Sequence, residues 1–391
     1  MLEQIKDYFR IATGQNGFAY PALFWRHSLI GLPKILSGSL WALYAEYHLL
    51  HNNNEAVENI QVKHNVLLYY KAFSFYMRGR YDNALQYTSE FCSKVPHNRE
   101  GYYLLSDLYA LHNNKNYAFA TLNKDYLLKK RKTWIKLANL VDDALELEKL
   151  QQIHKDAVLK GLIDKNDDYI LEYVALGAQR ANDYGVALDI WKKIEAMGKK
   201  GDVSAKRNIN VLFARDAMRA LAEATAKAGL EVFLVSGTLL GYMRNGNFLP
   251  HDNDLDVGIF DGFSVDTLRS ALYSTGCFTI MAKRSPHCIR IRHFNGTAID
   301  IFTHYREKDD YWHAASKTSW HNSPFALKKV EFLGFETYIP DPPEKYLEEN
   351  YGKDWRIPKT KFDSAVECPN YKILNEGDYQ IYNIKQKLMR Q

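Results

Sequence analysis

The chain has 391 residues, 46% of them hydrophobic and 25% charged, with 51 Lys and Arg against 46 Asp and Glu. That length predicts two or three domains with real cores, and the composition excludes both a disordered chain and a polytopic membrane protein. A net charge of +5 without a concentrated basic stripe sets nucleic acid aside as a partner. Four Cys without C-x-x-C spacing offer neither a disulfide framework nor a zinc site, and the start, Met-Leu-Glu-Gln-Ile-Lys, lacks the order of a secretory signal. A cytoplasmic protein, at most at the inner face of the membrane, is expected.

Residues 1–61 read as a helical segment packing on the repeats that follow. From Phe18 to Leu50 this segment is apolar and aromatic, but Arg26, His27, Lys34 and Glu46 interrupt it, so no spanning helix is expected. Phe24, Trp25 and Trp41 allow peripheral membrane contact at most.

Residues 62–200 read as helix after helix. One phrase sets the unit: Tyr70 to Met77, a break at Gly79, then Tyr81-Asp-Asn-Ala84-Leu-Gln-Tyr87, closing at Pro96. Similar phrases recur around Tyr117-Ala118-Phe119 and Asp183-Tyr184-Gly-Val-Ala187-Leu188. Ala84 to Ala118 is 34 positions, and Ala118 to Ala187 is 69, close to two further periods. This resembles the tetratricopeptide repeat, which implies an α-solenoid of helical hairpins whose concave face binds a glycan, a partner enzyme or a second copy of the chain. A packing scaffold with no ligand of its own is the alternative. The run Lys129-Lys-Arg-Lys132 suits a solvated surface or an acidic partner. Gly198-Lys-Lys-Gly201-Asp202 marks the boundary.

Residues 201–391 change texture. An amphipathic helix from about Ala205 to Gly229 precedes a buried strand, Val232-Phe-Leu-Val-Ser236, and a turn, Gly237-Thr238, that opens a helix. Asp252-Asn-Asp254-Leu-Asp256 follows, then a helix over 265–274 and strands near 278–282, 289–294 and 298–302. On a strand, period two puts Asp254 and Asp256 on one face, with Leu255 and Val257 on the other. Two adjacent carboxylates are costly unless a divalent cation binds them, and oxygen ligands suit Mg2+ or Mn2+. Asp300, between Ile299 and Ile301, is a charge inside an apolar strand, which a metal would also explain. The amides of Gly237 and Thr238 suit a phosphate at a helix N-terminus.

This order resembles the polymerase-β-like nucleotidyltransferase fold, and within it the LicD/fukutin family. The family's G-T-L-L-G-x-x-R and P-W-D-x-D-x-D stand here as Gly237-Thr-Leu-Leu-Gly241-Tyr-Met-Arg244 and Pro250-His-Asp252-Asn-Asp254-Leu-Asp256, with His251 in place of Trp. A further family-like stretch runs from Tyr346 through Tyr351-Gly352 and Trp355 to Pro358. The resemblance, over about 208–362, implies a mixed sheet with flanking helices and a multidomain α + α/β chain. It also implies transfer of a phosphoalcohol from a CDP-alcohol donor to a glycan hydroxyl, releasing CMP. Glycerol or ribitol phosphate is favoured slightly over phosphocholine.

The reading assigns Asp254 and Asp256 to metal ligation and Asp300 either to the metal or to the acceptor's proton. Arg244 pairs with a phosphate oxygen, and Asp252 stands adjacent, as ligand or as its support. Arg290 and Arg292, alternating on one strand, face either phosphate or solvent. Trp312 and Trp320 serve either a choline pocket or the core, while Gly352 and Trp355 are read as structural. The rivals are nucleotidyl transfer from another donor and a non-catalytic repeat-based adaptor.

Overall fold

In a computed structural model of the chain, the residues described are 32–198, 209–250, 252, 254–359 and 362–390. Phe24, Trp25, the Gly201-Asp202 boundary, the start of the helix expected at Ala205, and His251 lie outside them. The chain forms two compact units. Their described parts are 32–70, 74–80 and 209–374 for one, and 71–73, 81–198 and 375–390 for the other. These lines differ from the segments 1–61, 62–200 and 201–391 expected from the sequence. Residues 32–61 group with the sheet-bearing unit, where the Asn54 side chain donates to Ser74 Oγ and to the Gly276 carbonyl. The last helix groups with the helical unit, because its apolar stripe is buried there.

Three helices come first: α1 (Leu32–Leu50), α2 (Asn54–Glu58) and α3 (Asn65–Met77). The helical unit then runs through α4 (Tyr81–Lys94), α5 (Arg99–Leu111), α6 (Lys115–Leu122), α7 (Asp125–Leu128), α8 (Arg131–Asn139), α9 (Ala144–Leu159), α10 (Asp168–Arg180) and α11 (Tyr184–Ala196). Asn98, Asp143, Asp167 and Asp183 cap helix N-termini by accepting backbone N–H bonds. Left-handed residues at Gly79, Asn113 and Asn182 close helical turns, and each lies five positions before a fully buried Ala84, Ala118 or Ala187. The spacing of 34 and 69 is therefore the spacing of tight turns, each followed by a small residue at a buried helix position. Trp134, Leu137 and Leu150 fill the core. Of the basic run, Lys132 pairs with Glu100 at 2.6 Å and Arg131 stacks on the Tyr169 ring.

The other unit opens with α12 (Val211–Lys227) and is built on a mixed sheet. Its elements are β1 (Val232–Leu234), α13 (Ser236–Asn245), β2 (Leu255–Phe260), α14 (Val265–Thr275), β3 (Phe278–Ile280), β4 (Cys288–His293), β5 (Ala298–Glu307), β6 (Asp310–Ala314), β7 (Thr318–Asn322), β8 (Ala326–Phe332), β9 (Phe335–Asp341), α15 (Pro343–Tyr351) and β10 (Tyr371–Ile373). The order is β10-β7-β6-β5-β2-β1-β9-β8, with β4 also on β5 and β3 on β4. β5 is the hub: it pairs parallel with β2 and antiparallel with β4 through its first half, then antiparallel with β6. One face is apolar, with Leu255, Val257, Ile259, Ile299 and Ile301 at 2% exposure or less. Gly352 ends α15 at φ 88, and Trp355 is buried, as the sequence predicts.

The chain closes with α16 (Glu376–Arg390), whose Ile381 and Leu388 join the helical core beside Trp191 and Ile194. Among the described residues, no helix is long and apolar enough to cross a membrane.

Candidate active site

The face of the sheet opposite those aliphatic residues carries the charge. Asp256 on β2 is in register with Asp300 on β5, and Asp300 is in register with Arg290 on β4. In-register neighbours share a face, so Arg290, Asp300 and Asp256 form one row across three strands. Asp254 enters from the residue before β2. Arg290 Nε donates to Asp300 Oδ1 at 2.7 Å, and its Nη2 lies 3.7 Å from Asp254 Oδ2. The side chains of Arg290 and Asp300 are each only 15% exposed.

The Gly-Thr turn grips Asp256 from both ends. The Gly237 amide donates to the Asp256 carboxylate, and Thr238 Oγ1 accepts the Asp256 backbone N–H at 2.8 Å. Ser236 makes this turn in the left-handed region at φ 47, a conformation that turns successive amides inward and is costly for a residue with a side chain. The cradle expected of Gly237 and Thr238 thus takes a different form, because its amide and hydroxyl hold a carboxylate strand. Asp252 lies against the same turn, so close that a Cβ on Gly237 would sit 2.3 Å from its Oδ2. A carboxylate at a helix N-terminus is favoured by the helix dipole.

Burial, reinforced by Asp254, Asp252 and Asp300, pushes the Asp256 carboxyl well above the usual range, against the pull of the Gly237 amide. Asp254 is raised by burial and by Asp300, while Arg290 and Arg284 oppose the shift. Like charges held this close resist joint ionisation. Among the described residues, no three carboxylates, imidazoles or thiols converge as an ion cage. Asp254, Asp256 and Asp300 stand close enough to interact electrostatically, and Asp300 is engaged by Arg290.

The Arg244 guanidinium, expected at a phosphate oxygen, donates here to the carbonyls of Trp355 and Ile357, so it ties the end of α13 to the segment beyond α15. Five donors in a planar fork suit two carbonyls as well as an anion. Arg284 was not anticipated, yet its charge interacts with Asp300 and Asp254. Its only sequence signal is proximity to the Arg290-Ile-Arg292 alternation. Tyr351 also lies within electrostatic reach of Asp256 and Asp252, and burial drives its phenol far up, so it stays neutral.

Farther along the same face the row turns aromatic. His304 stacks on His313 at 4.2 Å, and His313 stacks on Trp320 at 5.1 Å. On the opposite face of β5, Trp312 stacks on its register partner Tyr305 at 4.3 Å. Both indoles thus have ring partners within the sheet, and both remain partly exposed.

Residues 229–341 match the LicD/FKTN/FKRP nucleotidyltransferase domain. Over 166 residues the chain is 28% identical to the human ribitol-5-phosphate transferase FKTN and to that of Macaca fascicularis. An uncharacterized protein of Rickettsia typhi is 26% identical over 168 residues. The matches cover 40% of this chain, 36% of each FKTN protein and 50% of the rickettsial one, so the chain spans about a third of the FKTN relatives. What is common to all of them supports a LicD-family domain in the sheet-bearing unit, within a chain that also carries a helical unit.

Proposed function

We propose that the sheet-bearing unit transfers a phosphoalcohol from a CDP-activated donor to a hydroxyl of a surface or capsular glycan and releases CMP. The observation that carries this reading is the row Arg290–Asp300–Asp256, with Asp254 beside it, next to a helix N-terminus. Phosphoryl-type transfer calls for positioning and charge neutralisation more than for a protein nucleophile, and such a row offers both. The FKTN relatives, named as ribitol-5-phosphate transferases, favour a polyol phosphate.

In this reading Asp254 and Asp256 hold a divalent cation, Mg2+ or Mn2+. They fit it in donor chemistry, being hard oxygen ligands whose mutual repulsion a cation would relieve. Its charge would offset that of the donor's diphosphate. The acceptor oxygen bonds to the phosphorus that bears the alcohol, the bond from that phosphorus to the bridging oxygen breaks, and CMP leaves with the electron pair. Asp300 is the remaining carboxylate, for the acceptor's proton or for a further position on the cation. An Asp300→Asn variant that keeps cation affinity but loses turnover would assign it the proton. Gly237 and Thr238 act by fixing Asp256 and Arg244 by fixing α13, while Asp252, against the same turn, serves as a further ligand or as support. The helical unit would bind the acceptor polymer, a partner enzyme or a second copy.

The test is CMP release from CDP-glycerol, CDP-ribitol and CDP-choline with Mg2+ or Mn2+, each with and without a surface-glycan extract, beside Asp256→Asn. The expected result is metal-dependent release from one donor, lowered by roughly 10²–10³ in the variant. Product mass separates phosphoalcohol transfer from nucleotidyl transfer. Undiminished release by Asp256→Asn would overturn the assignment.

A further inference from the structure

Arg290 is the feature of this site that lies outside the acidic motif. Its guanidinium lies near two carboxylates, Asp300 on β5 at 2.7 Å and Asp254 just before β2 at 3.7 Å, with the side chain 15% exposed. A divalent cation drawn by Asp254 and its neighbours would meet the Arg290 charge at the same two carboxylates. A guanidinium and a divalent cation cannot both take the same carboxylate lone pairs at short range, since each repels the other. Arg290 is also anchored by its strand: Ile289 and Ile291 on either side face Ile301 and Ile299 across the β4–β5 ladder, so the backbone is held and any change of partner falls to the side-chain torsions. Released from the carboxylates, the fork keeps its charge and stays beside the row, and the anion available there is the donor's diphosphate.

We propose that Arg290 is an exchangeable counter-charge, held by Asp254 and Asp300 without a cation and passing to the donor's phosphate oxygens when a divalent cation takes those carboxylates. This rests on the function proposed above and adds a residue and a sequence of binding to it, with cation first and donor second. The exchange makes Arg290 a competitor of the cation and a partner of the donor, so removing it must move the two affinities in opposite directions. No purely structural role does that.

The test measures binding on the full chain, not turnover. Mn2+ alone is titrated by calorimetry into wild type, Arg290→Met and Arg290→Lys, and CDP is then titrated into each protein saturated with Mn2+. A charge-assisted bond of ordinary strength predicts that Arg290→Met binds Mn2+ about tenfold or more tightly than wild type and binds CDP at least about tenfold more weakly. Arg290→Lys keeps the charge without the fork, and should stay near wild type for Mn2+ while binding CDP weakly. Unchanged or weaker Mn2+ binding in Arg290→Met overturns the exchange. Loss of both affinities together, with a lowered melting temperature, assigns Arg290 a structural role and also overturns it. If wild type binds no Mn2+, the metal-dependent function fails first and the exchange with it. Mn2+ binding by wild type that ignores Arg290 defeats the exchange alone.

Discussion

Replacing Gly237 by Ala isolates the geometry of the carboxylates from the stability of the fold. Gly237 is the second residue of α13 and has no left-handed φ, so Ala suits its backbone. In helix interiors Ala is favoured over Gly by up to about 1 kcal/mol, and the variant should melt no lower than wild type on that account. The new methyl, however, would stand 2.3 Å from Asp252 Oδ2. An ordinary carbon–oxygen contact is roughly 3.3 Å, so the carboxylate must retreat by about 1 Å. A displacement of that size in positioned groups costs on the order of 10² in rate. CMP release should fall by that factor while the melting temperature holds. Gly241→Ala is the control with the opposite signature. Its methyl would stand 2.5 Å from the Asn247 carbonyl oxygen and 3.0 Å from the Leu249 amide nitrogen. Backbone yields less readily than a side chain, so that variant should lose roughly 1–3 kcal/mol of stability. A Gly237→Ala protein with wild-type turnover would refute the argument that Asp252 must lie against the turn.

Three other outcomes are expected. Arg244→Met removes charge-assisted bonds to the Trp355 and Ile357 carbonyls and should cost on the order of 1–3 kcal/mol in urea unfolding, leaving Mn2+ affinity in place; weakened Mn2+ binding with unchanged stability would point back to a phosphate or metal role. Burial lowers His304 to about 3 and His293 to about 4, so each stays neutral where the unfolded chain binds a proton. Stability from each is complete above pH 6.5 and is lost toward those values at about 1.4 kcal/mol per pH unit, so His304→Phe should flatten the pH dependence of unfolding between pH 6.5 and 4.5 by one proton; an unchanged slope would contradict its burial as a neutral ring. Ile381→Ala, in a side chain 1% exposed against the helical core, should cost about 2–4 kcal/mol, read by Trp191 fluorescence, without lowering CMP release from a small acceptor; a silent substitution would remove α16 from the helical core.

Much of the sheet-bearing unit is legible in the sequence because its signals are local. Alternation around Asp254 and Asp256, the turn at Gly237 and the Ile299-Asp300-Ile301 strand each declare themselves within a few residues. Contacts set by register or by distant segments do not. Nothing near Arg244 announces that carbonyls more than a hundred positions away will take its guanidinium. Arg290 could be read as facing solvent or phosphate because its fate depends on β4 pairing with β5 at one register and not the next. The repeat spacing was readable from Ala84, Ala118 and Ala187, although the feature that sets it is the left-handed residue five positions earlier. The tail was misplaced because an amphipathic helix shows that it will bury a stripe, not against which core.

The site therefore depends on register before it depends on any single acid. β5 sits between an antiparallel and a parallel neighbour, and only one alignment of each puts Arg290, Asp300 and Asp256 on a common face. A slip of one residue along β5 would exchange Asp300 for Ile299 or Ile301, burying the carboxylate among aliphatic side chains and turning an isoleucine toward the charges. The aromatic stretch of the same face works against that slip. Phe302 and His304 follow Asp300 at period two. Phe302 packs on His313, while His304 packs on both His313 and Phe233 and lies 3.4 Å from the Tyr346 hydroxyl, which fixes β5 on both sides. Gly258, in register with Phe302, leaves room for the rings of Phe233 and His304 where any Cβ would collide with them. The apolar, neutral half of the face thus supplies the alignment that the charged half, repulsive on its own, would not hold.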